Sequence, residues 1–412
     1  MRALKIGSKI VRSAGWLVGV VCARTAWGLW CLLRGDVAAS AEEARFIGIL
    51  LHDELLAALI LARKLSGGVP TAVRPDRILV VKLDRIGDMV NTTPVFDALA
   101  TAFPRARIDV VGHPAPLSLL EADPRIGERI AYRSSLYHPV PLLPPSWRDW
   151  RLVATLMRRR YPLVVYLRGS APFLLLGLVS PLVATKYVRD EHVVERYLKA
   201  VRPVAPLVGR PALTLHVRPE VRQSVRERVL APLAAGCTVA VHATAAVAMK
   251  EWPLERYVAV ADALHARWGA DVVFLATKSE EARVRRGLEG ARFTHTVQAS
   301  LTLPEVAALI AESDLFVGND SGLSHIAAAV GTPSVLAWGS ANINEARPLA
   351  NASRTVILHR PLPCRSVCPE IRCINATPIA CLKDITVDEA ISAAARLLDR
   401  ERRTERLVAW RS

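Results

Sequence analysis

The 412-residue chain is notable first for what it lacks. It has no long low-complexity run, and charged residues make up 22% of it, which excludes disorder as its main state. It has no aromatic-rich RNA-binding motif and no zinc finger, so nucleic acid is not an expected partner. Its cysteine total is seven, an odd number that argues against a secreted disulfide framework. Acidic residues are in short supply: 38 Asp and Glu face 54 Lys and Arg, a net charge of +16. That imbalance favours anionic partners such as acidic lipid or phosphorylated sugars. Hydrophobic residues reach 51%, and the length suits two cores plus an extension.

No apolar run of membrane-spanning length is free of charge. The nearest, AGWLVGVVCARTAWGLWCLL at 14–33, is broken by Arg24, which costs about 2.5–3.5 kcal/mol at a bilayer centre. Arg2, Lys5, Lys9 and Arg12 precede it, and Trp16, Trp27 and Trp30 suit a lipid interface. The expected structure is a helix lying in or dipping into the inner leaflet. The alternatives are a single spanning helix, a signal peptide cleaved near VAASA (37–41), and an amphipathic helix packed on the protein itself. A second helix is expected over 42–65. Gly67, Gly68, Pro70 and Pro75 then mark a linker.

Beyond Pro75 the pattern changes. ILVVKL (78–83) reads as a buried parallel strand, 90–102 as a helix and IDVVG (108–112) as a second strand. In doubly wound sheets ligands bind beyond the carboxyl ends of the strands, so the loop LDRIGDM is where chemistry is expected. Asp88 lies near a helix start, where the dipole favours an ionised carboxylate that can take a proton from a hydroxyl. The plainer reading of Asp88 is a helix cap.

A Pro-rich stretch at 203–219 separates the halves. TVAVHA (238–243), a helix at 254–268 and ADVVFLAT (270–277) begin a second α/β repeat. Thr244 and Lys250 follow its first strand, where a hydroxyl and an ammonium can hold phosphate oxygens. In LFVGNDSGLSHIAAAVGTPSVLAWG a strand end leads through Asp320, Ser321 and Gly322 into a helix ending at Gly331. The backbone N–H groups after Asp320 make a ready diphosphate site, Gly322 lets a phosphate approach, and His325 lies one turn in. Cys364, Cys368, Cys373 and Cys381 cluster without a CxxC pair. Four thiols could satisfy a structural zinc ion, form labile disulfides or simply pack. After them ITVDEAISAAARLL reads as a capped amphipathic helix, with a frayed basic tail beyond 399.

ILVVKLDRIGDMVNTTPVFDALATAFPRARIDVVG (78–112) resembles the opening motif of glycosyltransferase family 9, the heptosyltransferases of lipopolysaccharide core assembly. YPLVVYLRGS (161–170), HVVERYLKAV (192–201), the K.WP signature at Lys250, Trp252 and Pro253, and DSG..H.AAA.G.P from Asp320 resemble further family segments. The resemblance implies a GT-B fold, α/β with two facing Rossmann-like domains. An acceptor domain would span 76–215 and a donor domain 216–400, behind a helical membrane-associating extension at 1–75. It implies inverting, metal-independent transfer of a heptose or related sugar from a nucleotide diphosphate donor, with ADP-heptose foremost. The acceptor would be a lipopolysaccharide-type glycolipid at the cytoplasmic face of the inner membrane, whose anionic surface is itself a partner. Asp88 would be the base, Lys250 would bind the donor diphosphate and Glu280 would lie on the nucleotide side. The family's glycines before that Glu are replaced here by Ala276 and Thr277. Arg85, Arg168 and His192 are candidate acceptor contacts. No DxD motif is present, in keeping with a reaction that requires no cofactor. The competing readings are a sugar-nucleotide epimerase or hydrolase on the same fold and a non-catalytic membrane-bound scaffold.

Overall fold

The computed structural model describes residues 74–133, 147–169, 171–185, 190–233, 236–350, 352–368 and 373–411, with the single positions 33 and 188. The helices expected within 14–65 lie, save for Leu33, outside the described residues. Among the described residues no helix is long and apolar enough to cross a membrane.

Five parallel strands form the first sheet: β1 (Arg77–Lys82), β2 (Arg107–Gly112), β3 (Ile126–Ala131), β4 (Leu163–Arg168) and β5 (Leu182–Ala184), in the order β3-β2-β1-β4-β5. Ile78 to Val81 are fully buried, as a parallel strand covered on both faces requires. The segment after β1 forms two helices, α1 (Ile86–Val90) and α2 (Thr93–Ala102), where the sequence suggested one. Asn91 and Thr92 make the break, and Pro94, which has no N–H to give a continuous helix, opens α2. Next come α3 (Pro114–Ser118), α4 (Trp147–Arg159), α5 (Val193–Val201) and α6 (Pro219–Val225). Helix α4 packs through Val153 and Leu156 in a core with Leu79, Val81 and Tyr166. Helices α2 and α5 pack on the opposite sheet face with Ile78, Val80 and Val165.

Six parallel strands form the second sheet: β6 (Thr238–His242), β7 (Asp271–Leu275), β8 (Thr296–Gln298), β9 (Leu315–Asn319), β10 (Ser334–Trp338) and β11 (Thr355–His359). Their order is β11-β10-β9-β6-β7-β8. The helices here include α7 (Leu254–Trp268), α8 (Glu281–Leu288), α9 (Leu303–Ala311), α10 (Gly322–Val330), α11 (Ile343–Ala346) and α12 (Val387–Arg411). Helix α10 ends at Gly331, whose φ of 83° is the left-handed cap expected of it. Helix α12 continues to Arg411, past the fraying point suggested at residue 399.

Strand order reverses between β1 and β4 in the first sheet and between β6 and β9 in the second. Those reversals open the crevices in which doubly wound sheets take ligands. Helix α1 lies beyond the first and packs directly on α10, which starts beyond the second. A Cβ on Gly87 would lie 2.7 Å from His325 Cδ2, and one on Gly322 would lie 2.8 Å from Ile86 Cβ. Only glycine at both positions permits this approach.

Candidate active site

The acidic side of the site grows from β1. Its last residue, Lys82, is a fully buried cation that follows the apolar run Ile78 to Val81. Its ammonium donates to Asp84 Oδ2 at 3.0 Å and to the Tyr197 hydroxyl on α5 at 2.5 Å, and lies 3.9 Å from Asp88 Oδ1. The Tyr197 hydroxyl in turn reaches Asp88 Oδ1 at 3.4 Å. Arg168, at the end of β4, places Nε 3.9 Å from Asp84 Oδ2. Two carboxylates in one pocket are thus driven apart. Burial pushes Asp84 up, but Lys82 and Arg168 bring it down to about 2. Burial, and then the charge of Asp84, raise Asp88 above the ordinary carboxylate range. The sequence suggested that the helix dipole would hold Asp88 ionised. Helix α1 has only five residues, and burial beside Asp84 moves the Asp88 pKa upward, against the pull expected of the dipole. The cap reading fails as well, because Arg85 is the N-cap and no side chain caps this helix.

The second half of the site is organised by Asn319, fully buried at the end of β9. Its Oδ1 accepts from the Trp252 backbone N–H at 2.9 Å and the Tyr257 hydroxyl at 2.7 Å, which fixes the loop carrying Lys250. Lys250 Nζ pairs with Asp320 Oδ2 at 2.7 Å, at the mouth of α10. Thr244 Oγ1 meets His242 Nε2 at 3.1 Å, and His242 Nδ1 meets Ser321 Oγ at 3.2 Å. Burial lowers His242 to about 4, so it is a neutral bridge between two hydroxyls. Glu280 accepts from the Thr277 N–H and hydroxyl at 2.8 and 2.6 Å. Burial opposes its charge, but these bonds, a further one from Thr244 and the nearby His242 hold it below its ordinary range. Thr244, Lys250, Glu280, Asp320 and Ser321 therefore converge.

Two expected donor residues also lie at the contact between the halves. His325 is buried, and its Nδ1 meets Asn91 Oδ1 in the first half at 3.2 Å; burial lowers it to about 4, leaving a neutral ring. A Cβ on Gly322 would lie 2.8 Å from Ile86 Cβ, so its missing side chain makes room for α1, while its backbone N–H is among those opening α10. Both residues join the halves. His192 has a similar role: Nε2 donates to the Arg347 carbonyl at 2.8 Å while Nδ1 accepts from the Val194 N–H at 3.2 Å. These bonds use both ring nitrogens, which leaves neither for an acceptor. Arg85 is exposed at the loop, and the Arg168 side chain is 37% exposed beside Asp84.

Cys364, Cys368, Cys373 and Cys381 are partly buried. Cys364 Sγ accepts from Asn375 Nδ2 at 3.4 Å and Cys373 Sγ from the Ile379 N–H at 3.2 Å. Among the described residues no group of three or more His, Cys, Asp or Glu is arranged to hold a metal ion, so the suggested zinc cluster gains no support.

Lys82, Asp84, Tyr197, His242 and Asn319 had not been singled out from the sequence. A lysine closing a run as apolar as ILVV is the one signal that could have found the first, since a buried cation needs partners. Asn319 gives no such signal before the loop it holds is seen.

A solved glycosyltransferase family 9 protein from Veillonella parvula superposes with a TM-score of 0.67 at 21% identity, over 80% of this chain and 99% of that one. The Escherichia coli ADP-heptose lipopolysaccharide heptosyltransferase II superposes with a TM-score of 0.63 at 20% identity, over 79% and 99%. These likenesses establish the α/β fold with paired parallel sheets. In sequence, lipopolysaccharide heptosyltransferase 3 of Escherichia coli is 28% identical over 292 residues, covering 64% of this chain and 84% of that protein. The family profile described as glycosyltransferase family 9 (heptosyltransferase) matches residues 154–373, more than half of the chain and most of the donor-side residues, though it begins beyond Asp88. The chain belongs to glycosyltransferase family 9, the heptosyltransferase family.

Proposed function

We propose that this protein transfers a heptose or related sugar, with inversion, from a nucleotide diphosphate donor to a lipopolysaccharide core or similar envelope glycan. The single observation that carries the reading is the contact of α1 with α10. It sets a carboxylate of raised pKa, Asp88, beside a helix mouth furnished with Lys250, Asp320 and Ser321. Asp88 takes the proton of an acceptor hydroxyl as that oxygen attacks the anomeric carbon. The bond from that carbon to the phosphate oxygen breaks, and the nucleoside diphosphate leaves with the electron pair. Lys250 and the N–H groups opening α10 meet its charge, so the reaction needs no metal. ADP-heptose is the favoured donor because a structural relative is named for it.

Titration of the protein with ADP, UDP and GDP tests the donor side. Selective binding of ADP, weakened at least ten-fold by Lys250→Ala, is expected; equal binding of all three would remove the donor assignment. Asp88→Asn is expected to lower kcat by roughly 10²–10⁴-fold with nucleotide affinity unchanged within a few-fold. Near-normal turnover would show that another group is the base.

We further propose that the protein works at the cytoplasmic face of the inner membrane. Its net charge of +16 suits anionic lipid. So does α4, where Trp147 is 64% and Trp150 48% exposed beside exposed Arg148, Arg151 and Arg158. Full-length protein should sediment with vesicles containing phosphatidylglycerol and not with phosphatidylcholine alone; failure to bind either would sink this placement.

A further inference from the structure

We propose that Lys82, Asp84 and Tyr197 form a buried positioning device for Asp88, in which Lys82 is held by Asp84 and orients the reactive carboxylate through the Tyr197 hydroxyl. This rests on Asp88 being the base. Lys82 is fully buried and cannot touch a substrate in the cleft. Its two short bonds go to Asp84 and Tyr197, while Asp88 stands 3.9 Å away, beyond hydrogen-bond reach. Tyr197 accepts from Lys82, so its own proton is free to point at Asp88 Oδ1, 3.4 Å away. The relay fixes one carboxylate oxygen from behind and leaves Oδ2 for the acceptor hydroxyl. The Lys82 ammonium also lies 4.5 Å from the centre of the Tyr197 ring, which holds the ring as well as the hydroxyl.

The arrangement answers a chemical need. A lysine bonded directly to the base would stabilise its anion and weaken it as a proton acceptor. Here Asp84 takes that bond and remains ionised, and its negative charge bears on Asp88. The cation is retained for geometry while its effect on basicity is largely offset. The charged groups around Asp88 are Lys82 from β1, Asp84 and Arg85 from the loop, and Arg168 from β4. Tyr197 comes from α5, and from α10 the neutral ring of His325 packs against Gly87, next to Asp88 in the chain.

The test is the pH profile of kcat/KM for the full-length enzyme and four variants. The acidic limb reports Asp88 losing its proton as pH rises. Lys82→Met removes the cation and should move that limb to higher pH, by about one unit or more. Asp84→Asn leaves the cation facing Asp88 alone and should move the limb to lower pH with a reduced plateau. Tyr197→Phe should cut the plateau by about ten-fold or more with nucleotide affinity unchanged. Opposite shifts for Lys82→Met and Asp84→Asn are the signature that a purely structural role would not produce. Lys82→Met and Asp84→Asn limbs coincident with the wild type would overturn the proposal, as would a loss in those two variants that is uniform with pH, or a Tyr197→Phe plateau equal to the wild type's. Should Lys82→Met fail to fold, Asp84→Asn and Tyr197→Phe decide alone. Asp88→Asn separates the two readings. If it stays active, the base assignment itself fails; if it is dead while the limbs coincide, only the positioning device fails.

Discussion

Asn319 shows how one buried amide can hold a loop of the candidate site. It accepts from the Trp252 N–H and the Tyr257 hydroxyl and donates to the Thr244 carbonyl at 3.4 Å, so three stretches of chain meet on one side chain. Asn319→Leu keeps the branched shape and strands two buried donors, each worth about 1–3 kcal/mol. Thermal denaturation should show Tm lower by several degrees, and nucleotide affinity should fall with it because Lys250 shares the loop. Asn319→Asp keeps the acceptor and should retain more of both. An Asn319→Leu protein with unchanged Tm would mean that the loop is held by its apolar packing, with Trp252 buried to 1%.

At the scale of elements, the contact that matters is α1 against the first turn of α10. Each helix contributes one glycine to it, and the neighbours on either side are His325 and Ile86. Gly87→Ala adds only a methyl group, but at 2.7 Å from the His325 ring it must push the helices apart. A shift near 1 Å at a reacting centre costs roughly a hundred-fold in rate. Steady-state assays of Gly87→Ala should therefore show kcat reduced by that order, with nucleotide affinity changed little because Lys250 and Asp320 are untouched. A second set of polar ties joins the same halves near α11. The Asp190 N–H donates to Glu345 at 2.9 Å, Asn342 donates to Asp190 at 2.8 Å, and His192 reaches the Arg347 carbonyl.

Across the whole molecule one apolar cluster runs from the first half into the second. Val110 and Leu117 belong to it, and so do Val225, Leu309 and Phe316. A shared core of this kind predicts that the two halves unfold together. Calorimetry should give one transition, and two resolved peaks would contradict it. Stability should also fall on acidification. His242 and His325 are lowered by burial to about 4, against an ordinary value near 6.5. Between those values the unfolded chain binds more protons than the folded one, so stability is full above the upper value and is lost as pH falls toward the lower. Tm at pH 5 should lie below Tm at pH 7, and His325→Asn should flatten the dependence.

The amino-acid order alone determined the parallel strands, because ILVVK and LFVGN have no polar face to give to water. It also determined the helix stop at Gly331 and the family motifs around Asp88, Lys250 and Asp320. These are local matters of periodicity, backbone freedom and spacing. Only the tertiary structure decided which charges share a pocket. His192 and His325 read from the sequence as ligand contacts, yet folding brings each against the other half of the protein. Lys82 reads as one more basic residue until β1 buries it beside Asp84 and Tyr197, the latter 115 positions away. A side chain's charge state depends on burial and on neighbours distant along the chain, and only folding supplies these.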